Sequence, residues 1–366
     1  MSGSKNLYIA VMTGALLLLG CAGARVVSAG ASGNTTTSNS SGNTTPPNTP
    51  SHLQSPSILV SESDTGGERV IVFDGSAAGE TKPYWTLPGT HPHLDAAGNI
   101  YVVRSFQISQ RIEVYGPDLS STTPVRFLPA GPGTKIPALK DVTVSGMGEI
   151  FVADGKGVAV FAPNATGDAD PVRYIQWTAP PEGVLLQSWN IAVDDSDNLY
   201  VRNGTVIAVF GPNDNGTATP TRLITGPQTQ IATSVYEDGY TWSMTIDSHG
   251  NIYLLCNTVR QDGLNPFGVL VFGPGSNGDV APVRYVTTPG MNDGEYGTLT
   301  GLAVDSSGTL FVSATLNPDY YPAGLYVFPP GAAGSITPSR IVQTPRWFHI
   351  GDVLWEYNGG GIALVQ

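Results

Sequence analysis

The sequence predicts an all-β fold, a six-bladed β-propeller of four-stranded antiparallel blades whose ring closes by pairing the C-terminal strand with the N-terminal blade. Three observations carry that expectation. An aromatic and a proline recur six times at near-fixed spacing, a hairpin motif recurs between them, and the two ends of the repeat are complementary fragments of one unit.

Phe73, Tyr115, Phe161, Phe210, Phe272 and Phe328 each end an aliphatic run and lead into a turn. Pro83, Pro124, Pro171, Pro220, Pro282 and Pro338 follow, ten residues on in five copies and nine in the Tyr115 copy. A unit of roughly 40–50 residues built from strand and turn cannot bury both faces alone, so it stacks against copies of itself. The 45 glycines and 29 prolines sit at regular turn positions rather than in one tract, which fits β structure better than disorder. Helical periodicity is nearly absent.

The clearest unit begins Gly301-Leu302-Ala303-Val304-Asp305, turns through Ser306-Ser307-Gly308 and continues Thr309-Leu310-Phe311-Val312-Ser313. Asp can bond its own backbone there and Gly can take positive φ, so two strands meet in a hairpin. Asp95, Asp194 and Asp247 mark the same turn in other units, with Ser145 in place of Asp in one. Their repetition makes these acids structural rather than catalytic. A third strand ends in the aromatic, as in Leu270-Val271-Phe272. A fourth follows the proline and carries Arg126, Arg173, Arg222, Arg284 or Arg340, with Trp85 in the first copy. Four strands per unit make a blade. The arginines read as guards on outer edge strands, where proline and charge discourage pairing with another chain.

The count of strands closes the ring. The repeat opens on Ile58-Leu59-Val60-Ser61, which matches a second strand, and ends on Gly361-Ile362-Ala363-Leu364-Val365-Gln366, which matches a first strand. Together they complete a sixth blade and remove two unpaired edges.

Ahead of the repeat, residues 1–21 have the layout of an export signal: Lys5, an apolar run from Leu7 to Leu19, then Gly20-Cys21. Leu18-Leu19-Gly20-Cys21 resembles a bacterial lipobox, which implies cleavage before Cys21 and acylation, including palmitate-type chains, at that residue. Ala22 after the cysteine resembles lipoproteins passed on to the outer membrane. A simple secreted protein is the alternative. Residues 22–56 are nearly all Gly, Ala, Ser, Thr, Asn and Pro with Arg25 as the one charge, a composition that leaves too little apolar surface to fold and so reads as a disordered tether. Residues 57–366 form the propeller. Cys256 is then the single cysteine of the folded part, in a strand-like apolar run, and reads as a buried small hydrophobe.

The motif Val/Ala-Val-Asp-x-x-Gly-x-Ile/Leu-Tyr/Phe-Val followed by Val-Phe-Gly-Pro resembles the NHL-type six-bladed propellers, especially NHL-like exported lipoproteins of bacteria. The resemblance covers about residues 57 to 366 and implies fold more than activity, because propellers host many unrelated functions.

The chemistry expected of the chain is recognition. Net charge is −12, which opposes nucleic acid and anionic lipid, so contact with a membrane is expected through the lipid anchor only. There is no nucleophile elbow, phosphate loop, HExxH or Cys/His cluster, and no cofactor is implied. Binding residues should break the repeat, on the face where second-to-third and fourth-to-first connections emerge. That face collects His91, His93, Arg104, Trp189, Asn190, Trp242, Arg260, Tyr320, Trp347, His349 and Trp355. Tryptophans among open loops suit sugar rings or apolar peptide side chains. The expected partner of this monomer is a glycan, peptide or protein. The second class is a metal-dependent lyase or lactonase-like hydrolase with its site at the channel mouth, and the inner strands, read as Ala303, Ala192, Thr143, Thr245 and Ala363, offer it no convergent acid.

Overall fold

The computed structural model describes residues 56–64, 67–106, 109–117, 119, 121–177, 189–231, 243–257, 267–288, 298–315, 324–343 and 361–365. Cys21 and nearly all of the tether lie outside them.

Six sheets form, each with four antiparallel strands, three of them with a further short parallel strand at the outer edge. Their inner strands are Ile362–Val365 in blade 1, Thr90–Leu94, Asp141–Val144, Trp189–Val193, Met244–Ile246 and Thr298–Val304 in blade 6. Each touches the next and the last touches the first, so the six make a closed ring around a channel. The closure is the one the sequence predicts: Ile362 lies opposite Val60, Ala363 opposite Leu59, Leu364 opposite Ile58 and Val365 opposite Ser57. Among the described residues the one helical element is a short 3-10 turn, Pro227–Thr229, and no helix is long and apolar enough to cross a membrane.

Alternation along each strand sends successive side chains to opposite neighbours. Ile58 and Val60 therefore pack against blade 6 while Leu59 packs against blade 2. The core is accordingly six radial slabs, one between each pair of blades. Phe73, Tyr115, Phe161, Phe210, Phe272 and Phe328 are all buried in these slabs, which is why the aromatic recurs.

The hairpin acids organise their own turns. Asp247 accepts the His249 and Asn251 N–H groups and the Asn251 amide, and also takes the Tyr253 hydroxyl at 3.1 Å. Asp95 and Asp194 do the same with Tyr101 and Tyr200. The arginine one strand pair away completes a chain. Arg284 donates to the Tyr253 hydroxyl and, across the junction, to the Ala332 carbonyl of blade 6. Arg126 reaches Tyr101 and Ala165, and Arg222 reaches Tyr200, Pro274 and Ser276, in the same way. The guanidiniums also lie over the aromatic rings, 5.5–5.7 Å from the centres of Tyr101, Tyr200 and Tyr253.

This corrects the reading of the arginines as edge guards. They clamp each blade to the next, and the outer edges are covered by backbone. Gly216–Ala218, Gly334–Ser335 and Gly79–Glu80 pair in parallel with the outer strands of blades 3, 5 and 6, and Gly278 bridges Ile224 of blade 4. Each of these connections belongs to the following blade and turns on a glycine six residues after its aromatic. Gly79, Gly167, Gly216, Gly278 and Gly334 all have φ between 62° and 74°, a region that favours glycine.

Candidate functional site

The residue four places before the hairpin acid is His91, Asp141, Asn190, Ser243, Gly301 and Gly361 in successive blades. The position is thus glycine twice and four different polar residues otherwise, and in five blades it sits where chain enters the inner strand from the fourth-to-first connection, Gly301 falling within Thr298–Val304. His91 has φ of 52° within an irregular stretch between Thr90 and His93. Its N–H donates to the Ser61 hydroxyl at 2.9 Å, which also receives the Gly361 N–H at 3.2 Å. A Cβ on Gly361 would come within 2.9 Å of the His91 Cα, so glycine is needed where the terminal strand passes blade 2. Burial drives both imidazoles down to about 4, and the His91 charge adds to the effect at His93, so both are neutral at neutral pH.

Asp141 is an acid at the head of an inner strand that sequence reasoning did not single out. Oδ1 accepts the Val142 N–H at 2.8 Å, Oδ2 accepts the Ile191 N–H at 2.8 Å, and the Asn190 side chain bonds the same carboxylate. Burial outweighs these bonds and pushes the carboxyl up to about 7. His93 meets the Val142 backbone, so polar contacts stitch the inner strands of blades 2, 3 and 4. The signal available in the sequence was the register itself: aligning the blades on the hairpin acid puts Asp141 beside His91 and Asn190.

Arg104 falls elsewhere, on the second strand of blade 2. There Glu113 is fully buried, taking the Arg111 Nε at 2.6 Å and the Tyr115 hydroxyl at 2.6 Å, with Arg104 Nη1 at 3.8 Å. Burial and the Glu113 carboxylate push the Tyr115 phenol up. Between blades 4 and 5, Arg202 is buried beside Cys256. Burial brings the guanidinium down to about 10 and the thiol up to about 12.

Trp189 heads the inner strand of blade 4, opposite Asn203. Trp242, Arg260, Tyr320, Trp347, His349 and Trp355 lie outside the described residues. Of the expected face, the structure therefore brings His91, His93 and Asn190 to the inner ring and puts Arg104 in a separate cluster. Among the described residues, no group of three or more His, Cys, Asp or Glu is placed to hold a metal ion.

No family model matches the chain, and no curated protein matches it. Solved structures do. The chain is similar to a protein of unknown function from Bacteroides caccae at 12% identity, over 85% of this chain and 100% of that one, with a TM-score of 0.53. It is also similar to a protein from Lactobacillus plantarum (14% identity, 79% and 82% covered, TM-score 0.47) and to apo AztD from Citrobacter koseri (10%, 85% and 98%, 0.46). The likeness is one of fold.

Proposed function

We propose that the protein is an exported, lipid-anchored binding propeller of the NHL-like type, recognising a glycan, peptide or protein ligand through the face where the second-to-third and fourth-to-first connections emerge. One observation carries the reading. The polar residues that repeat from blade to blade are engaged with one another in the Asp–Tyr–Arg chains, whereas those that differ between blades, His91, Asp141 and Asn190, collect at the entrances of neighbouring inner strands. A site common to all blades would be built by repetition. A specific one needs departures from it.

The anchor reading rests on the Leu18-Leu19-Gly20-Cys21 motif and the polar stretch after it. Residues 22–56 act as the tether, acylated Cys21 holds the chain to the cell envelope, and the propeller stands clear as a monomer. Cys21→Ser should release the protein from membrane fractions or leave it unprocessed; normal processing and membrane retention of that variant would overturn anchoring through Cys21. For recognition, the domain from Ser57 onward, immobilised and offered a glycan array and envelope extracts, should capture a defined ligand. Capture unchanged in a His93→Ala, Asn190→Ala double variant would place recognition away from the inner ring.

A further inference from the structure

Chain from the following blade covers the outer edges of blades 2 to 6. Short parallel segments cover blades 3, 5 and 6, Gly278 donates to the Leu223 carbonyl of blade 4 at 2.7 Å, and Gly167 donates to the Phe127 carbonyl of blade 2 at 2.8 Å. An asparagine ahead of the glycine completes two of these covers, Asn215 accepting the Tyr174 N–H and Asn277 the Leu223 N–H. Blade 1 differs. Its outer strand, Trp85–Pro88, pairs only inward among the described residues. The Gly89 N–H bonds the Glu68 carbonyl, so alternation turns the N–H and C=O of Thr86 outward, where neither has a partner among the described residues, and Thr86 is exposed. Blade 2 has Ser121 where the covering glycine stands elsewhere, and the Ser121 hydroxyl takes the Thr123 N–H instead.

The missing cover also bares Phe127. Its equivalents three residues after the proline, Tyr174, Tyr285 and Ile341, are half-buried in slabs shared with Ala169, Val280 and Ile336, each two residues after a covering glycine. Phe127 is 41% exposed. The Arg111 guanidinium lies 5.1 Å from its ring centre and shares the buried Glu113 carboxylate with Arg104, so the spot carries an excess positive charge on a chain of net charge −12. Alternation with Val102, Tyr115 and Leu128 puts Arg104, Arg111, Glu113 and Phe127 on one face of the sheet, the one toward blade 1.

We propose that the outer edge of blade 1 takes an extended acidic peptide of a partner protein as the covering strand it lacks. The peptide runs parallel to Trp85–Pro88, as the covers of the other blades do. An asparagine or serine side chain accepts the Thr86 N–H, and the glycine after it donates to the Thr86 carbonyl. An aliphatic residue two places on donates its N–H to the Pro88 carbonyl, as Ile336 and Thr81 do to Thr287 and Gln343 at 2.9 and 2.8 Å, and lays its side chain on Phe127. Phe127 lies opposite Glu113 and Pro129 opposite Arg111, so a parallel segment meets Phe127 first and Arg111 next. An acidic side chain two residues after the aliphatic one therefore reaches the guanidiniums, whose fork matches a carboxylate. Free backbone groups at strand spacing select a peptide. Pro88 has no N–H, so the edge suits a cover of two or three residues and resists extended sheet growth. This surface is separate from the inner ring, and the proposal does not rest on recognition there.

The test is fluorescence anisotropy of a labelled peptide, Ser-Asn-Gly-Ser-Val-Ser-Asp-Ser with blocked ends, titrated with the full-length protein. The peptide should bind, and versions with alanine for glycine, serine for valine or asparagine for aspartate should each bind about threefold or more weaker. Thr86→Pro removes the outward N–H at an edge position where proline is tolerated, and should weaken binding about fivefold or more with an unchanged melting temperature, whereas Thr86→Val should bind as the native protein does. Should Thr86→Pro not fold, Phe127→Ser, on the exposed ring, should weaken binding, and Arg104→Gln should narrow the gap between the aspartate and asparagine peptides. The His93→Ala, Asn190→Ala double variant should bind the peptide unchanged. No binding of the parent peptide, equal binding of the asparagine version, indifference to Thr86→Pro and Phe127→Ser, or a loss in the inner-ring variant overturns the proposal. So does a concentration-dependent dimer that Thr86→Pro abolishes, which would give the edge to a second copy of the chain.

Discussion

Ending the chain at Gly361 removes the inner strand of blade 1 and should unfold the protein rather than trim it. Ile362 and Ala363 are each 8% exposed, and Leu364 and Val365 are partly buried against the slabs on either side. Full burial of an Ile is worth about 1.5–3 kcal/mol and each buried methylene about 0.8, so the four side chains together contribute about 4–6 kcal/mol. A compact unfolded state lowers that by roughly 10–40%. The ladder with Ser57–Val60 adds about 1 kcal/mol per hydrogen bond, and Ile58, Leu59 and Val60 become a bare apolar edge. The total approaches the whole stability of a domain, about 5–15 kcal/mol. Size-exclusion chromatography and thermal melting of the full-length protein and the truncation, at matched concentration, read the effect. A truncation that stays monomeric with an unchanged melting midpoint would refute closure through this strand.

Three further outcomes follow from the same geometry. Asp247→Ser should cost about 1–3 kcal/mol by stranding the Tyr253 hydroxyl and its turn, whereas Asp247→Ser with Asn251→Glu and Tyr253→Phe, which copies blade 3, should recover part of the loss in a urea midpoint; a triple variant no more stable than the single one would count against the clamp. His91 and His93, held down to about 4 from an ordinary 6.5, bind fewer protons folded than unfolded, so their contribution grows as pH rises from about 4 to 6.5. Asp141, raised to about 7 from 3.8, acts oppositely and loses stability as pH rises across that range, so Asp141→Asn should steepen the rise of the urea midpoint between pH 4 and 6.5; a shallower rise contradicts the assignment. Cys256, buried with its thiol pushed up to about 12, should resist thiol reagents at pH 8 until the protein is denatured, and prompt labelling of the native form would show the slab between blades 4 and 5 to be open.

The blades, the Asp turns and the ring closure were legible because each is local and repeated: a strand alternation, a turn residue and a glycine at fixed offsets. The arginines were misread because their partners are not. Arg126 meets the carbonyl of Ala165 and Arg284 that of Ala332, both on the next blade, and a backbone carbonyl has no side-chain signature. The covering strands are only two or three residues long, too short for any periodicity. Glu113 and Asp141 were hidden for different reasons. Glu113 sits in an otherwise apolar alternation beside Arg111, where pairing lets a charge be buried. Asp141 lies just before the apolar run that announces its strand, so only the comparison between blades exposes it.

The departures from the repeat are coupled, and this says what the junctions require. In blade 3, Ser145 replaces the acid, Phe151 replaces the tyrosine and Glu149 stands where others have Asn or Thr. Arg173 keeps its ring, 5.6 Å from Phe151, keeps a carbonyl of the next blade, Pro212, and finds its carboxylate on Glu149 at 3.1 Å. The acceptor has moved while the clamp persists, and Arg340, 6.0 Å from the Phe311 ring centre, bonds the Gly75 and Ala77 carbonyls, so what the clamps share is an aromatic face and a carbonyl of the next blade rather than one fixed acid. Between blades 1 and 2 the clamp is gone from both sides. Trp85 stands at the arginine position, its buried Nε1 without an acceptor among the described residues, and the facing turn of blade 2 is one residue shorter and has Ser121 where five blades have glycine. That junction is held by apolar packing of Tyr84, Trp85 and Leu87 against Tyr115 and Leu119. It flanks the face of blade 2 that carries Arg104, Arg111 and Glu113. Freed of the repeating arginine, this one seam has room for a different charged arrangement, which is where a specific site on a repetitive ring can arise without opening the clamps that hold the other five.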